Sequence, residues 1–230
     1  VNADAGDRGF SVILLAGGSG TRMGADAAAQ LPKQYMPLGD KRVIDYSLDT
    51  FRRYSDDIVV VVPDPGDPSA PSPRAGVRLV AGGASREDSV RNALAAGLRH
   101  DAVLVHDAAR PFVTRRVIAE LLAALEGHES ACPVMPVVNS IVVDDGGLLA
   151  RTPPRSDFHE IQTPQAFRGE WLQKAMRDPS QTHPHLPERV RLLGGRVRHV
   201  RGTPWLFKIT YAPDIHAANA HWREYLEAEG

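Results

Sequence analysis

Five consecutive β-branched residues, Ile58-Val-Val-Val-Val62, leave this chain little choice of fold. A strand with one wet face alternates apolar and polar residues, whereas a strand apolar at every position must be covered on both faces. Similar short runs at Ser11–Leu15, Val77–Val80 and Ala102–Val105 are separated by helical patterns at Val43–Tyr54, Arg86–Leu98 and Arg115–Leu125. Strands alternating with single amphipathic helices imply right-handed crossovers. The expected fold is therefore α/β and Rossmann-like, with a mainly parallel, doubly wound sheet. The 230 residues and 43% apolar content suit a single domain, 1–230, with one sizeable core.

The first strand runs into Ala16-Gly17-Gly18-Ser19-Gly20-Thr21-Arg22-Met23-Gly24, and Pro32-Lys33-Gln34 follows at a short distance. Glycines let backbone N–H groups approach a phosphate chain, and Arg22 and Lys33 add mobile positive charge beside it. This pattern reads as a nucleoside triphosphate site. A dinucleotide-binding oxidoreductase is the competing reading. Its fingerprint is one residue shorter than Gly18–Gly24, and it needs an acidic residue at the end of a second strand, where Val43-Ile-Asp-Tyr-Ser47 reads as helix. A third reading is a catalytically silent nucleotide-binding scaffold.

A formal charge of −1 argues against a general nucleic-acid or anionic-membrane partner, which rewards an excess of Lys and Arg. No apolar run reaches the length of a membrane span, and Val1 to Phe10 is too polar for a signal peptide, so a cytoplasmic enzyme is expected. Cys132, the sole cysteine, lies in an apolar run and reads as a buried, inert thiol. The Pro63–Pro73 loop is rich in Pro, Asp, Gly and Ser and is assigned no function. Two apolar runs, Val137–Val143 and Leu148–Arg151, flank Asp144-Asp-Gly-Gly147 and predict a β-hairpin within an arm over 137–158. Near the end, Lys208–Tyr211 reads as a strand end and Asp214 as the N-cap of a last helix, Ile215–Ala228.

These motifs, with Gly82-Gly-Ala-Ser-Arg-Glu-Asp-Ser89, Val105-His-Asp-Ala-Ala-Arg-Pro111, Gln162-Thr-Pro-Gln165 and Lys208-Ile-Thr210, resemble the cytidylyltransferases that activate small alditol phosphates. That family includes enzymes acting on 2-C-methyl-D-erythritol 4-phosphate and on ribitol 5-phosphate. The resemblance covers nearly the whole chain. It implies that a phosphate oxygen of the acceptor attacks the α-phosphorus of CTP and releases pyrophosphate, with Mg²⁺ as cofactor. It assigns Arg22, Lys33 and Lys208 to catalysis, and Ala16, Gly17, Gly18, Ser19, Gly20, Thr21, Gly82, Gly83, Ser89 and Asp107 to CTP. Asp107, Arg110, Ser140, Arg155 and Thr163 fall at acceptor positions, with Asp107 also a candidate metal ligand. His106 reads better as a packed strand-end residue than as an acid or base, because an attacking phosphate dianion needs no deprotonation. The resemblance also implies a homodimer in which the arm carries Arg155 to the partner subunit's site.

The acceptor half departs from the isoprenoid pattern. Asn139-Ser140-Ile141-Val142 stands where those enzymes usually carry Asp-Thr-x-Lys, and Thr182-His-Pro-His-Leu-Pro187 replaces a Thr-Asp-Asp stretch. Ala16-Gly17-Gly18, Arg110-Pro-Phe-Val113 and the lysine-free arm lean toward the ribitol phosphate branch or a specialised relative, and a less polar pocket also suits a small hydroxyalkyl phosphonate such as 2-hydroxyethylphosphonate.

Overall fold

The computed structural model describes residues 9–18, 31–177, 183 and 185–229. In chain order the elements are β1 (Phe10–Leu15), β2 (Pro37–Leu38), β3 (Lys41–Arg42), α1 (Val43–Arg52), β4 (Asp57–Val62), β5 (Val77–Ala81), α2 (Arg86–Ala95), β6 (Ala102–Asp107) and α3 (Arg115–Ala124). There follow β7 (Ser130–Pro136), β8 (Val143–Asp145), β9 (Leu148–Arg151), β10 (His159–Ile161), β11 (Gln165–Arg168), α4 (Gly169–Arg177), α5 (Leu186–Leu192), β12 (Val197–Arg201) and α6 (Ala212–Glu229).

β5, β4, β1 and β6 lie side by side and parallel. β11 runs antiparallel to both β6 and β7, which makes β7 parallel to β6. β10 continues along the edge of β7 that β11 occupies, since Gln162 N–H still donates to Pro133 O, while β12 pairs in parallel with β7 from the other side. The sheet is thus mainly parallel, with one reversed strand laid down in two pieces on either side of the cis Thr163–Pro164 bond.

The all-apolar strand reads as a covered strand should. Ile58, Val60 and Val62 pack with Ile44, Leu48 and Phe51 of α1 and Val117 and Leu121 of α3. Val59 and Val61 face the other way, against Val90 and Ala93 of α2, Leu172 of α4 and Val190 of α5. Alternate side chains therefore feed two helical layers, the geometry a doubly wound sheet requires. A third apolar cluster, including Tyr46, Phe112, Ile215 and Tyr225, docks α6 against the loop that follows β6. Phe112 and Tyr225 have ring centroids 4.8 Å apart, and Tyr225 Oη donates to Val113 O at 2.6 Å.

Several expectations shift. α2 stops at Ala95 rather than Leu98, because Gly97 takes φ +77° and Arg78 donates to the carbonyls of Ala96 and Gly97. α1 stops at Arg52, two residues short of Tyr54. Lys208–Tyr211 is not a strand; its backbone is held by single bonds such as Ile209 N–H to Ala109 O. Asp214 lies inside the first turn of α6, and its Oδ2 accepts from the N–H groups of Thr210 and Tyr211 just before the helix. Cys132 is buried, and burial pushes its thiol up to about 11.

The hairpin forms around Gly146 and Gly147, at φ +60° and +90°, as a two-residue turn of this hand needs. It is shorter than expected: Val137–Val142 is not strand, and β8 begins only at Val143. β8 and β9 pair with each other and not with the main sheet, leaving Leu148 74% and Leu149 65% exposed.

Candidate active site

The chain runs from β1 to β4 and β5 on one side, then returns to place β6 on the other side of β1. Such a reversal opens a crevice at the carboxyl ends of the two central strands. Here that crevice is a cavity of about 410 Å³. Leu15 to Gly18 leave the end of β1, and Asp107 ends β6 beside them. Lys33 and Gln34 come from a 3-10 turn (Lys33–Tyr35), Gly83 to Arg86 from the start of α2, Ser89 from within it, and Lys208 from the segment before α6.

The charged residues lining this cavity, among those described, are Lys33, Arg86 and Lys208 against the single carboxylate of Asp107. Lys208 Nζ donates to Asp107 Oδ2 at 2.7 Å, and Arg86 approaches Oδ1 at 3.4 Å. Burial raises the Asp107 carboxyl, but the Arg86 and Lys208 charges, the Lys208 hydrogen bond and Arg110 outweigh it and hold the group well below the usual carboxylate range. A cleft with three cations and one anion suits a polyphosphate.

The glycines do different work. Among the described residues, a Cβ on Gly18 would meet no atom within 4 Å and one on Gly17 would make only ordinary contacts, so the described protein does not demand glycine there. Both positions border the cavity, and the space a Cβ would take is space an occupant could use. Gly83 is the opposite case: a Cβ would lie 2.2 Å from Asp88 Cβ. Its bareness seats the first turn of α2, whose N-cap is Ser85, with Asp88 completing the capping box. Ser89 accepts from Gly83 N–H at 3.1 Å and donates to Ser85 O at 3.0 Å, bracing the loop. A Cβ on Gly82 would come no closer than 3.4 Å to Ser89 Oγ. Ala16 lines the cavity, and its carbonyl accepts from Gln34 Nε2 at 2.6 Å. Ser19, Gly20, Thr21 and Arg22 lie outside the described residues.

Of the residues matched to the acceptor, Asp107 alone lines this cavity; Arg110, Ser140, Arg155 and Thr163 do not. Thr163 is buried, and its hydroxyl is engaged twice, accepting from Asp107 N–H at 3.1 Å and meeting His106 Nδ1 at 3.0 Å. It fixes the end of β6 rather than presenting a free hydroxyl. His106 is fully buried, its Nε2 is 2.9 Å from Arg110 O, and burial pulls its imidazole down to about 4, as a packed neutral residue should be. Arg110 donates through Nη1 to Leu206 O, while its buried Nε has no hydrogen-bond partner among the described residues. Ser140 and Arg155 are exposed and belong to the arm; Arg155 Nη1 donates to Val138 O at 2.6 Å beside a separate hollow lined by Val138, Phe158 and His159.

Two working parts escape sequence reasoning. Gln34 Nε2 holds the glycine turn through the carbonyls of Ala16 and, at 3.3 Å, Gly18. Arg86 reaches Asp107 across the cavity. The Pro-Lys-Gln motif carried the first signal, but only the fold could pair the second. Among the described residues no group of three His, Cys, Asp or Glu side chains could hold a metal ion, and Asp107 is the one carboxylate on the cavity wall. That donor set fits a magnesium ion that takes most of its oxygen ligands from phosphates and water.

Comparison with known proteins identifies the family. A family model described as 2-C-methyl-D-erythritol 4-phosphate cytidylyltransferase matches residues 10–224. The chain is 38% identical over 216 residues to the enzyme of that name from Cereibacter sphaeroides, covering 90% of this chain and 94% of the relative. A relative of the same name from Rhodococcus jostii is 37% identical over 213 residues, 90% of this chain and 92% of its own. The solved structure of the Thermus thermophilus enzyme of that name superposes with a TM-score of 0.79 at 32% identity, over 94% of this chain and 99% of the other. These relatives carry the methylerythritol name, against the lean of the arm toward the ribitol branch, and they overturn the dinucleotide oxidoreductase reading.

Proposed function

The chain belongs to the 2-C-methyl-D-erythritol 4-phosphate cytidylyltransferase family and is a CTP-using cytidylyltransferase, and from that premise we propose both its acceptor and the work of its residues. The acceptor is 2-C-methyl-D-erythritol 4-phosphate. An oxygen of its phosphate attacks the α-phosphorus of CTP in line, the bond to the β-phosphate oxygen breaks, and pyrophosphate leaves. Little proton transfer is needed, so catalysis consists of positioning and charge neutralisation.

The observation that carries this reading is the strand-end glycine turn facing three cations around one carboxylate. Gly17 and Gly18 give the triphosphate close access to backbone. Lys33 and Lys208, with Arg22, neutralise charge that grows on the phosphoryl oxygens in the transition state. The Gly82–Gly83 turn, braced by Ser89, receives cytosine. Magnesium, arriving with the triphosphate, would be held on the protein side by Asp107 and would offset phosphate charge.

The acceptor half is completed by a second copy of the chain. The arm exposes Val138, Val142, Leu148 and Leu149 and holds Arg155 at a hollow separate from the cavity, which supports a homodimer with Arg155 serving the partner's acceptor phosphate. Pyrophosphate release from CTP, measured with methylerythritol phosphate, ribitol 5-phosphate and 2-hydroxyethylphosphonate, with and without Mg²⁺, tests the proposal. Magnesium-dependent turnover fastest with methylerythritol phosphate is expected; preference for either other acceptor overturns the assignment.

A further inference from the structure

The Pro63–Pro73 loop lacks the apolar content to order itself, yet Arg42 ties it to the turn that carries Lys33. Within it Asp64 Oδ1 accepts from Gly66 N–H at 2.8 Å and Asp67 Oδ1 accepts from Ser69 N–H at 2.7 Å, so short carboxylate turns shape its tip. Pro71 is buried and Ala70 packs on the core cluster that contains Tyr35, Ile44, Leu48 and Phe51. The link between loop and turn is Arg42. Its Nη1 donates to Ser69 O at 2.5 Å, its Nε and Nη2 grip Asp45 at 2.8 and 2.9 Å, and its guanidinium lies 5.8 Å from the centroid of the Tyr35 ring.

The turn itself is short, Lys33 to Tyr35, and is anchored on both flanks of Lys33's neighbours. Gln34 reaches into the glycine turn, and Tyr35 is 2% exposed within the core cluster on which Ala70 packs. The Tyr35 hydroxyl is buried without a hydrogen-bond partner among the described residues, so no polar bond from this ring fixes the turn. Packing and the Arg42 charge do that instead. On the far side Val43 N–H donates to Met36 O at 3.0 Å, joining the start of α1 to the end of the turn.

We infer that Arg42 and the Pro63–Pro73 loop form a clamp that positions Lys33 for the transfer step, with Arg42 a positioning residue that acts through the Lys33–Tyr35 turn. This rests on the reading of Lys33 as a transition-state cation. Loosening the clamp displaces a charge needed most when the α-phosphorus is attacked, so turnover suffers more than ground-state nucleotide binding.

The test uses the full chain and four variants, Arg42→Met, Pro71→Gly, Lys33→Ala and Lys33→Ala with Arg42→Met. Arg42→Met keeps the stem's bulk and removes the charge; Pro71→Gly relaxes the loop without touching Arg42. Each should lower kcat about ten- to hundredfold and leave the KM for CTP within about threefold. In the Lys33→Ala background, adding Arg42→Met should change kcat by less than about twofold, because the clamp then has nothing to place. Unchanged kcat in Pro71→Gly and Arg42→Met, or full multiplicative loss in the double variant, overturns the clamp. Unchanged kcat in Lys33→Ala overturns the reading of Lys33 and the clamp with it. Should Arg42→Met lose its native circular dichroism, Pro71→Gly decides alone.

Discussion

Replacing Asp107 with Asn removes the only counter-charge that the described cavity offers its cations. Asp107 is 13% exposed, whereas the Lys208 and Arg86 side chains are 36% and 31% exposed. Breaking a fully buried pair costs about 3–5 kcal/mol, but the open cations regain water, so a loss of about 1–3 kcal/mol is expected. For a chain of this size that lowers Tm by about 2–12 °C. The same change should help the nucleotide in the absence of Mg²⁺. In the native cleft a triphosphate must compete with Asp107 for Lys208, and removing a partly exposed, charge-assisted bond of about 0.5–1.5 kcal/mol should tighten CTP two- to tenfold. Thermal unfolding with and without CTP, in a chelator, reads both effects. The variant should melt lower when free and gain more from CTP than the native protein does. A native Tm together with a smaller CTP shift would show that Asp107 does not restrain these cations, and the electrostatic account of the cleft would fail.

Gly18→Ala should leave Tm within about 1 °C and raise the KM for CTP, because its Cβ meets no described residue and borders the cavity, while Gly83→Ala should cost about 1–3 kcal/mol by driving into Asp88. Thermal melts paired with initial rates separate the two, and equal destabilisation would refute the distinction. Arg155→Ala should raise the acceptor's KM and leave CTP binding alone, as steady-state kinetics varying each substrate would show. His106 is neutral in the fold, with its imidazole drawn down to about 4 against an unfolded value near 6.5. The unfolded chain binds more protons between those values, so the stability this burial confers is present above about pH 6.5 and falls by up to about 3 kcal/mol as pH drops to 4. Urea unfolding at stepped pH, with NMR of the ring showing no protonation down to pH 5, checks it.

Much of the scaffold was legible because its cause is local. Ile58–Val62 could only be a doubly covered strand, and Gly146-Gly147 after two aspartates and before a second apolar run could only be a tight hairpin turn. Failures cluster where tertiary partners decide. The end of α2 depends on Arg78, which arrives from β5 and supplies donors to the carbonyls of Ala96 and Gly97. Lys208–Tyr211 has strand-like composition but finds no strand to pair with. The reversed strand is divided at Thr163–Pro164, a break no apolar period announces. In the site, glycines and lysines were readable as types. The pairing of Lys208 with Asp107, across a separation of 101 residues, was not.

The cleft is organised against the preferences of an empty protein. Lys33, Arg86 and Lys208 border one concavity with a single carboxylate between them, an arrangement that repels itself until an anion enters. The surrounding packing is what makes this tolerable. Asp107 is held from below by Thr163, whose hydroxyl takes its N–H, and by a buried His106 that stays neutral and so adds no further positive charge. Arg86 stands on a helix whose start is secured by Ser85, Asp88 and the bare backbone of Gly83. Lys208 precedes Ile209, which is fully buried among the aromatic residues that dock α6. Each cation thus projects from a rigid anchor, and little ordering entropy remains to be lost when the triphosphate binds. On the proposed function, that preorganisation, more than the number of charges, would let these side chains act on a transition state that differs from its ground state mainly in where the negative charge lies.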